Sequence, residues 1–239
     1  MLISYILLSA CAREAEAPPQ PVSPCRHERF EDAGFIVCTP RSTAKLRFYA
    51  ARREEPAKRH FRNLGLAGRE VDFAMNAGMF GLDGRPIGLA VVDGTPVHAI
   101  NLRDGGGNFH MKPNGVFLVR TSGRAEIVES GRYTPSPDIR IATQSGPMLV
   151  VGGKVHPKFE DDGDSHNMRN AVGIAPGGTP LFVMTEDPVS FGKMARFFRD
   201  ELHSRDALYF DGSVSSLWDP ASGRMDEFTD LGPIIVALK

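Results

Sequence analysis

What most constrains this chain is a succession of short apolar segments, each closed by Gly, Pro, Asn or Asp or by a charged residue. In order they are GFIVCT, KLRFYA, VDFAMNA, LAVVDG, NGVFLV, AEIVES, PMLVV, AVGIAP, PLFVMT, ALYF and PIIVAL. Such short runs, rich in Val, Ile and Phe, have the length and composition of strands. In PMLVVGGKVHP the pair Gly152-Gly153 is a two-residue hairpin signal between two of them. Helices are predicted in two places only. One lies near AKRHFRNLGLAG, ending at a glycine. The other is capped by Ser190 and places Phe191, Met194, Ala195, Phe198 and Leu202 on one core-facing stripe. A doubly wound parallel sheet needs a helix at every crossover, so this pattern argues against one. The prediction is an α+β fold: a single domain with a large mixed or mostly antiparallel β-sheet core and few helices. The 239 residues suffice for one substantial core, and 25 glycines with 18 prolines suit a strand-and-loop chain.

The first residues carry a different message. MLISYILLSAC is apolar but too short to span a bilayer, and its end, Leu8-Ser9-Ala10-Cys11, resembles a bacterial lipobox with Cys11 as the lipid acceptor. An ordinary cleaved signal peptide is the alternative. The expected organisation is a signal segment over 1–11, a Pro-rich tether over 12–24 (AREAEAPPQPVSP) and one domain over 25–239. That places the protein in the exported class, as a lipoprotein on the periplasmic face of the outer membrane or free in the periplasm. With 28 basic and 29 acidic residues, the chain has no electrostatic footprint for nucleic acid, and the lipid would be its only tie to a membrane. Beyond Cys11 two cysteines remain, Cys25 and Cys38. In an exported chain such a pair reads as a disulfide, with two buried free thiols as the alternative.

Polar residues gather where the apolar runs end. AMNAGMFG places Asn76 in a Gly-rich turn. GGGNFHMKPNGVF carries Lys112 and Asn114, and TQSGPML carries Gln144 and Ser145. DSHNMRNAVGI crowds Arg169 and Asn170 ahead of a strand, and YFDGSVSSLW sets Asp211, Gly212, Ser213, Ser215 and Ser216 after one. Asn and Ser beside Gly commonly form turns, and Asp211 could simply bond the backbone of Ser213. Taken together, amide and hydroxyl side chains suit sugar hydroxyls, whereas Arg169 and Lys112 suit phosphate. Other chemistries find no support. There is no Walker A pattern, no G-x-S-x-G, and no His pair at i, i+4 with a Glu between; EDDGDSHNMRNA lacks a full calcium loop. No metal or other cofactor is expected.

These stretches, in this order, resemble the phosphodiester glycosidase family, which includes the enzyme that uncovers mannose 6-phosphate. The family has an Asn-Gly-Gly-Phe-like turn, an Arg before an apolar strand and an Asp-Gly-Gly-Gly-Ser-Ser-like turn. Here the counterparts are Asn76–Phe80, Arg169–Gly173 and Asp211–Ser216, and FAMNAGMF, ATQSGPML, RNAVG and LYFDGSVSSLW are similar to a bacterial exported branch. Ala77, Ser213 and Val214 stand where that family has glycine. The resemblance implies hydrolysis of a sugar-1-phosphodiester at the anomeric carbon, with a glycan or glycosyl-phosphate as partner. Arg169 would clamp the phosphate, assisted by Asn170 and the 212–216 turn with Ser213, Ser215 and Ser216. Asp211 would steady positive charge on the sugar or activate water, with His156 or Glu186 as a second titrating group. Asn76, Asn114 and Gln144 would hold sugar hydroxyls, with Lys112 and Ser145 also in the binding set. The alternative is a non-catalytic envelope protein that binds a phosphate-bearing glycan. Neither the sugar nor the oligomeric state follows from the sequence.

Overall fold

The computed structural model describes residues 22–52 and 56–239; the signal segment with Cys11 and most of the tether lie outside the described residues. Strands are numbered in chain order. One seven-stranded sheet runs β1 (Cys25–Phe30), β2 (Ala33–Cys38), β13 (Pro180–Thr185), β12 (Asn170–Ile174), β14 (Ala207–Tyr209), β10 (Met148–Val151) and β11 (Lys154–Val155). A five-stranded sheet runs β16 (Arg224–Met225), β15 (Leu217–Asp219), β4 (Val71–Asn76), β17 (Ile234–Leu238) and β3 (Leu46–Tyr49). A second five-stranded sheet runs β6 (Thr95–His98), β5 (Ala90–Val92), β9 (Ile139–Ser145), β7 (Gly115–Arg120) and β8 (Ala125–Glu129). Every strand pairing among the described residues is antiparallel. The α+β expectation of one domain with a mostly antiparallel core holds.

The three sheets share one core. Phe73 of β4, Phe117 of β7 and Phe182 of β13 meet there, with ring centroids 5.5 Å apart for Phe73–Phe182 and 5.6 Å for Phe117–Phe182. The seven-stranded sheet is covered on its other face as well. Phe35, Val37, Leu149 and Val183 pack there against Met194, Phe197 and Phe198 of the helical segment. Burial on both faces explains why β2 and β13 read as unbroken apolar runs, without alternation: every residue of each is buried.

That helix, α1 (Phe191–Arg196), starts where its cap is: Ser190 Oγ accepts a 3.0 Å hydrogen bond from the Lys193 N–H. It continues as a π-helical stretch over Phe197–Glu201, in which the Leu202 N–H reaches the Phe197 carbonyl. The helix expected near AKRHFRNLGLAG does not form. Two short 3₁₀ turns, Phe61–Leu64 and Gly68–Glu70, stand in its place, with Gly65 at φ 70° between them. Only Phe61 and Leu64 are buried there, too short an apolar stripe to sustain a helix. Strand β9 was not among the expected runs, because its polar end Thr143-Gln144-Ser145 is buried in the middle of its sheet, paired with β7. Cys25 and Cys38 face each other in the β1–β2 register and are joined by a disulfide.

Candidate active site

The polar stretches converge because the strands that carry them end on the same side of the core. Asn76 closes β4, Ser145 closes β9, Asn170 opens β12 and Asp211 follows β14. Antiparallel pairing of β12 with β14 sets Ala171 opposite Tyr209, and the Phe210 N–H bonds the Asn170 carbonyl at 3.0 Å.

At the centre is a closed amide network. Asn170 Nδ2 donates to Asn76 Oδ1 at 3.0 Å and to the Asn76 carbonyl at 2.9 Å. Asn76 Nδ2 donates to the Asp211 carbonyl at 2.7 Å, and Asn76 Oδ1 also accepts the Ser216 N–H at 2.9 Å. Ser215 Oγ lies 3.2 Å from Asn170 Oδ1 and 3.1 Å from the Gly212 carbonyl. Both ends of the Asp211–Ser216 turn are thus tied to Asn76, and Ser215 to Asn170. Ala77 accepts the Asp211 N–H at 2.9 Å, and Gly78 presses on β9 so closely that a Cβ there would lie 2.5 Å from the Gln144 carbonyl. Glycine alone allows that approach.

Asp211 is half-buried in this turn. Burial raises its carboxyl above the usual aspartate range, opposed by the hydrogen bonds it accepts from Ser213. Its Oδ1 takes the Ser213 N–H at 3.2 Å, so the carboxylate does shape the turn. Trp218 lies in the core beside Phe61, with centroids 6.3 Å apart, and anchors the far end of the turn.

Arg169 is among the largest fully buried side chains, at 1 % exposure. Its Nε donates to the Val189 carbonyl at 2.7 Å and its Nη2 to the Ser165 carbonyl at 2.6 Å, while Cζ sits 3.6 Å above the Phe191 ring. Nη1 reaches only Tyr209 Oη, at 3.5 Å. No carboxylate pairs with it among the described residues; burial lowers its basicity, but a guanidinium keeps its proton. A buried cation answered only by neutral oxygens and a ring face is a standing source of positive potential.

The remaining expected site residues are taken up otherwise. Gln144 uses its whole amide: Oε1 accepts from the Leu89 and Asn101 N–H groups, each at 2.9 Å, and Nε2 donates to the Asn101 carbonyl at 2.7 Å and to Ser130 Oγ at 3.0 Å. It is a framework group with nothing left for a sugar. Asn114 is buried, with Nδ2 on the Phe109 carbonyl at 2.7 Å. Lys112 lies on the surface, paired with Asp104 at 2.6 Å, and Glu186 pairs with His27 at 3.0 Å. Neither charge is brought to Asp211 by a hydrogen bond. Ser145 is buried with its hydroxyl unpartnered. His156 is buried as well; its Nδ1 accepts the Lys158 N–H at 3.2 Å, and Nε2 makes no hydrogen bond. Burial lowers its basicity, so its ring stays neutral near pH 7. It begins an aromatic column: His156 stacks on Phe159 at 4.6 Å, Phe159 on Phe191 at 5.0 Å, and Phe191 meets Tyr209 edge-on at 4.8 Å.

A cavity of about 170 Å³ borders this column, with Met111, Lys158, Phe159, Ser165 and Phe191 among its walls. A wider cleft, about 640 Å³, lies at the opposite ends of β12 and β14, around Ile174 and Asp206. Sequence reading missed Tyr209, Phe191 and Ser165. Tyr209 had one signal, a polar tip in the otherwise apolar run ALYF just before Asp211. Among the described residues no group of His, Cys, Asp and Glu converges as metal ligands do.

The model of the phosphodiester glycosidase family matches residues 69–222, so the chain belongs to that family. Among curated proteins it is similar to the uncharacterized Escherichia coli protein YigE, 34 % identical over 149 residues, or 62 % of this chain. The match spans 58 % of YigE, less than two thirds of its length. Among solved structures it is similar to the catalytic domain of zebrafish N-acetylglucosamine-1-phosphodiester α-N-acetylglucosaminidase, auto-inhibited by its pro-peptide. There the TM-score is 0.62 and the identity 14 %, over 93 % of this chain and 84 % of that one. A hypothetical protein from Synechocystis shares the fold at TM-score 0.56 and 13 % identity, over 90 % of this chain and 61 % of that one.

Proposed function

We propose that this protein is an exported hydrolase that cleaves a sugar-1-phosphodiester between the anomeric carbon and the phosphate. The observation that carries the reading is Arg169, a buried guanidinium without a carboxylate, separated by Tyr209 from the half-buried carboxyl of Asp211. A departing phosphate is a weak base, so its reaction needs positive potential more than a second carboxylate acid. Asp211 steadies positive charge on the sugar or takes a proton from the attacking water. The Gly212–Ser216 turn offers hydroxyls and N–H groups to phosphate or sugar oxygens. Family membership supports the reaction class. The zebrafish relative, by its name, acts on an N-acetylglucosamine phosphodiester, but identity of 14 % does not carry that sugar over. The disulfide supports an oxidising compartment, and Cys11 is proposed as the site of a lipid anchor for the 25–239 domain.

The test is incubation of purified protein with a panel of sugar-1-phosphodiesters while free sugar is measured. Release of sugar together with an intact phosphomonoester supports the proposal. Saturable binding without any release would instead make this an envelope protein that binds phosphate-bearing glycans.

A further inference from the structure

Tyr209 ends β14 with its ring in the layer against α1 and its hydroxyl between Arg169 and Gly212. Two features of that position stand out. First, both neighbours of Oη are donors. Arg169 Nη1 lies 3.5 Å away, and the backbone N–H of Gly212, which donates to the Phe210 carbonyl at 3.1 Å, also faces the same oxygen. A phenol has two lone pairs and one proton. With N–H groups on its lone-pair side, the proton is the unused function, and no acceptor takes it among the described residues. The Asp211 carboxylate is close enough to be felt electrostatically, yet the two groups do not hydrogen-bond.

Second, the tip of the phenol packs directly against the turn only because residue 212 is glycine. A Cβ there would collide with Oη. Tyr209 as a whole is 3 % exposed, but Gly212 is partly exposed, so the bare backbone of the turn is what separates Oη from the outside. Arg169, by contrast, is covered by Phe191, Ser165 and Val189 and cannot itself touch a ligand on the Asp211 side. Its charge is passed on through the hydroxyl it polarises, because a donor beside a cation becomes a stronger donor.

We propose that Tyr209 is a further catalytic residue: its hydroxyl donates a hydrogen bond to the phosphate oxygen that leaves the anomeric carbon. This rests on the glycosyl-phosphate reading above. In the step, the bond between the anomeric carbon and the bridging oxygen breaks and both electrons stay on oxygen. Water adds to the carbon and gives one proton to the Asp211 carboxylate, which returns it to solvent. The products are the free sugar and the phosphomonoester. Tyr209 keeps its proton throughout and stabilises the growing negative charge.

The experiment compares wild type with Tyr209→Phe, which keeps the ring against Phe191, on two phosphodiesters of one sugar, an alkyl ester and a p-nitrophenyl ester. The p-nitrophenyl phosphate leaves more easily and needs the donor less. We expect kcat on the alkyl ester to fall about 100-fold, the loss of one preorganised donor, with a clearly smaller fall on the p-nitrophenyl ester and a lower melting temperature, because Arg169 Nη1 loses its partner. An unchanged rate, or an equal loss on both esters, overturns the inference while leaving the glycosidase reading intact. If wild type cleaves no phosphodiester, that reading fails on its own, and inorganic phosphate decides for Tyr209. Replacing Tyr5, Tyr49 and Tyr133 by Phe leaves Tyr209 as the sole tyrosine. Its ¹³Cζ resonance should then shift on titration with phosphate, and a resonance that stays put overturns the inference even if the Phe variant cannot be folded.

Discussion

Asn170 and Asn76, 94 positions apart, hold each other side chain to side chain at 3.0 Å. The bond ties the first residue of β12, in the seven-stranded sheet, to the last residue of β4, in a five-stranded sheet. Because Asn76 in turn holds the Asp211 carbonyl, this pair fixes where the carboxylate stands.

Asn170→Ala removes both of its bonds to Asn76 and leaves buried acceptors short of a donor. The expected cost is about 2–3 kcal/mol, read as a lower urea midpoint with an unchanged slope. Turnover of the folded fraction should fall as well, since the 211–216 turn loses a tether.

Asp211→Asn should lower turnover at least roughly 100-fold, the contribution of a group acting in proton transfer or charge stabilisation. Burial raises the carboxyl in the native state. The native protein therefore holds that proton more tightly than the unfolded chain does. The stability this gives is complete below the unfolded value of about 3.9 and is lost as pH rises through the native one. The Asn variant should accordingly melt at or above wild type at pH 7, with the difference closing toward pH 4. The acid limb of the wild-type rate profile should lie above the ordinary aspartate range and vanish in the variant. A large loss of stability with full activity in the folded fraction would make Asp211 a turn former only.

Arg169→Lys keeps a charge but not the fork. An ammonium cannot serve Val189, Ser165 and Tyr209 together, nor lie flat on Phe191. A loss of at least about 2 kcal/mol is expected from the broken charged hydrogen bonds, together with a lower kcat, because the charge acts through Tyr209.

Joint replacement of Cys25 and Cys38 by Ser should cost about 3 kcal/mol, the chain-entropy value for so short a loop. In a Cys11→Ser background the unreduced, denatured protein should show no free thiol, and dithiothreitol should reproduce the loss. The same Cys11→Ser chain should move from the membrane fraction to the soluble periplasm, and unchanged membrane association would remove the anchor.

Much of the fold could be read from residue patterns, because its signals are local. PMLVVGGKVHP declares a hairpin through its two glycines, and Gly152 and Gly153 indeed have φ 56° and 83°. Ser190 declares a helix start through its own hydroxyl. Strand β9 hid because a buried polar triplet looks like a loop until its partners are known.

For the site, sequence singled out the strand ends and turns that carry Asn76, Asn170 and Asp211, which the packed sheets bring together, since polar side chains beside special backbone residues stand out in any strand-rich chain. It could not say which of those side chains remain free. Asn76, Gln144 and Asn114 all look ligand-like, yet Asn76 is consumed by Asn170, Asp211 and Ser216, Gln144 by Leu89, Asn101 and Ser130, and the Asn114 Nδ2 by Phe109. Tyr209 looked like core and proves to stand between Arg169 and the Asp211 turn. Local sequence sets strand, turn and cap because those depend on neighbours a few residues away. Which polar groups stay unsatisfied, and which cation is buried without an anion, is decided by partners tens of residues distant, and only the packed sheets bring those together.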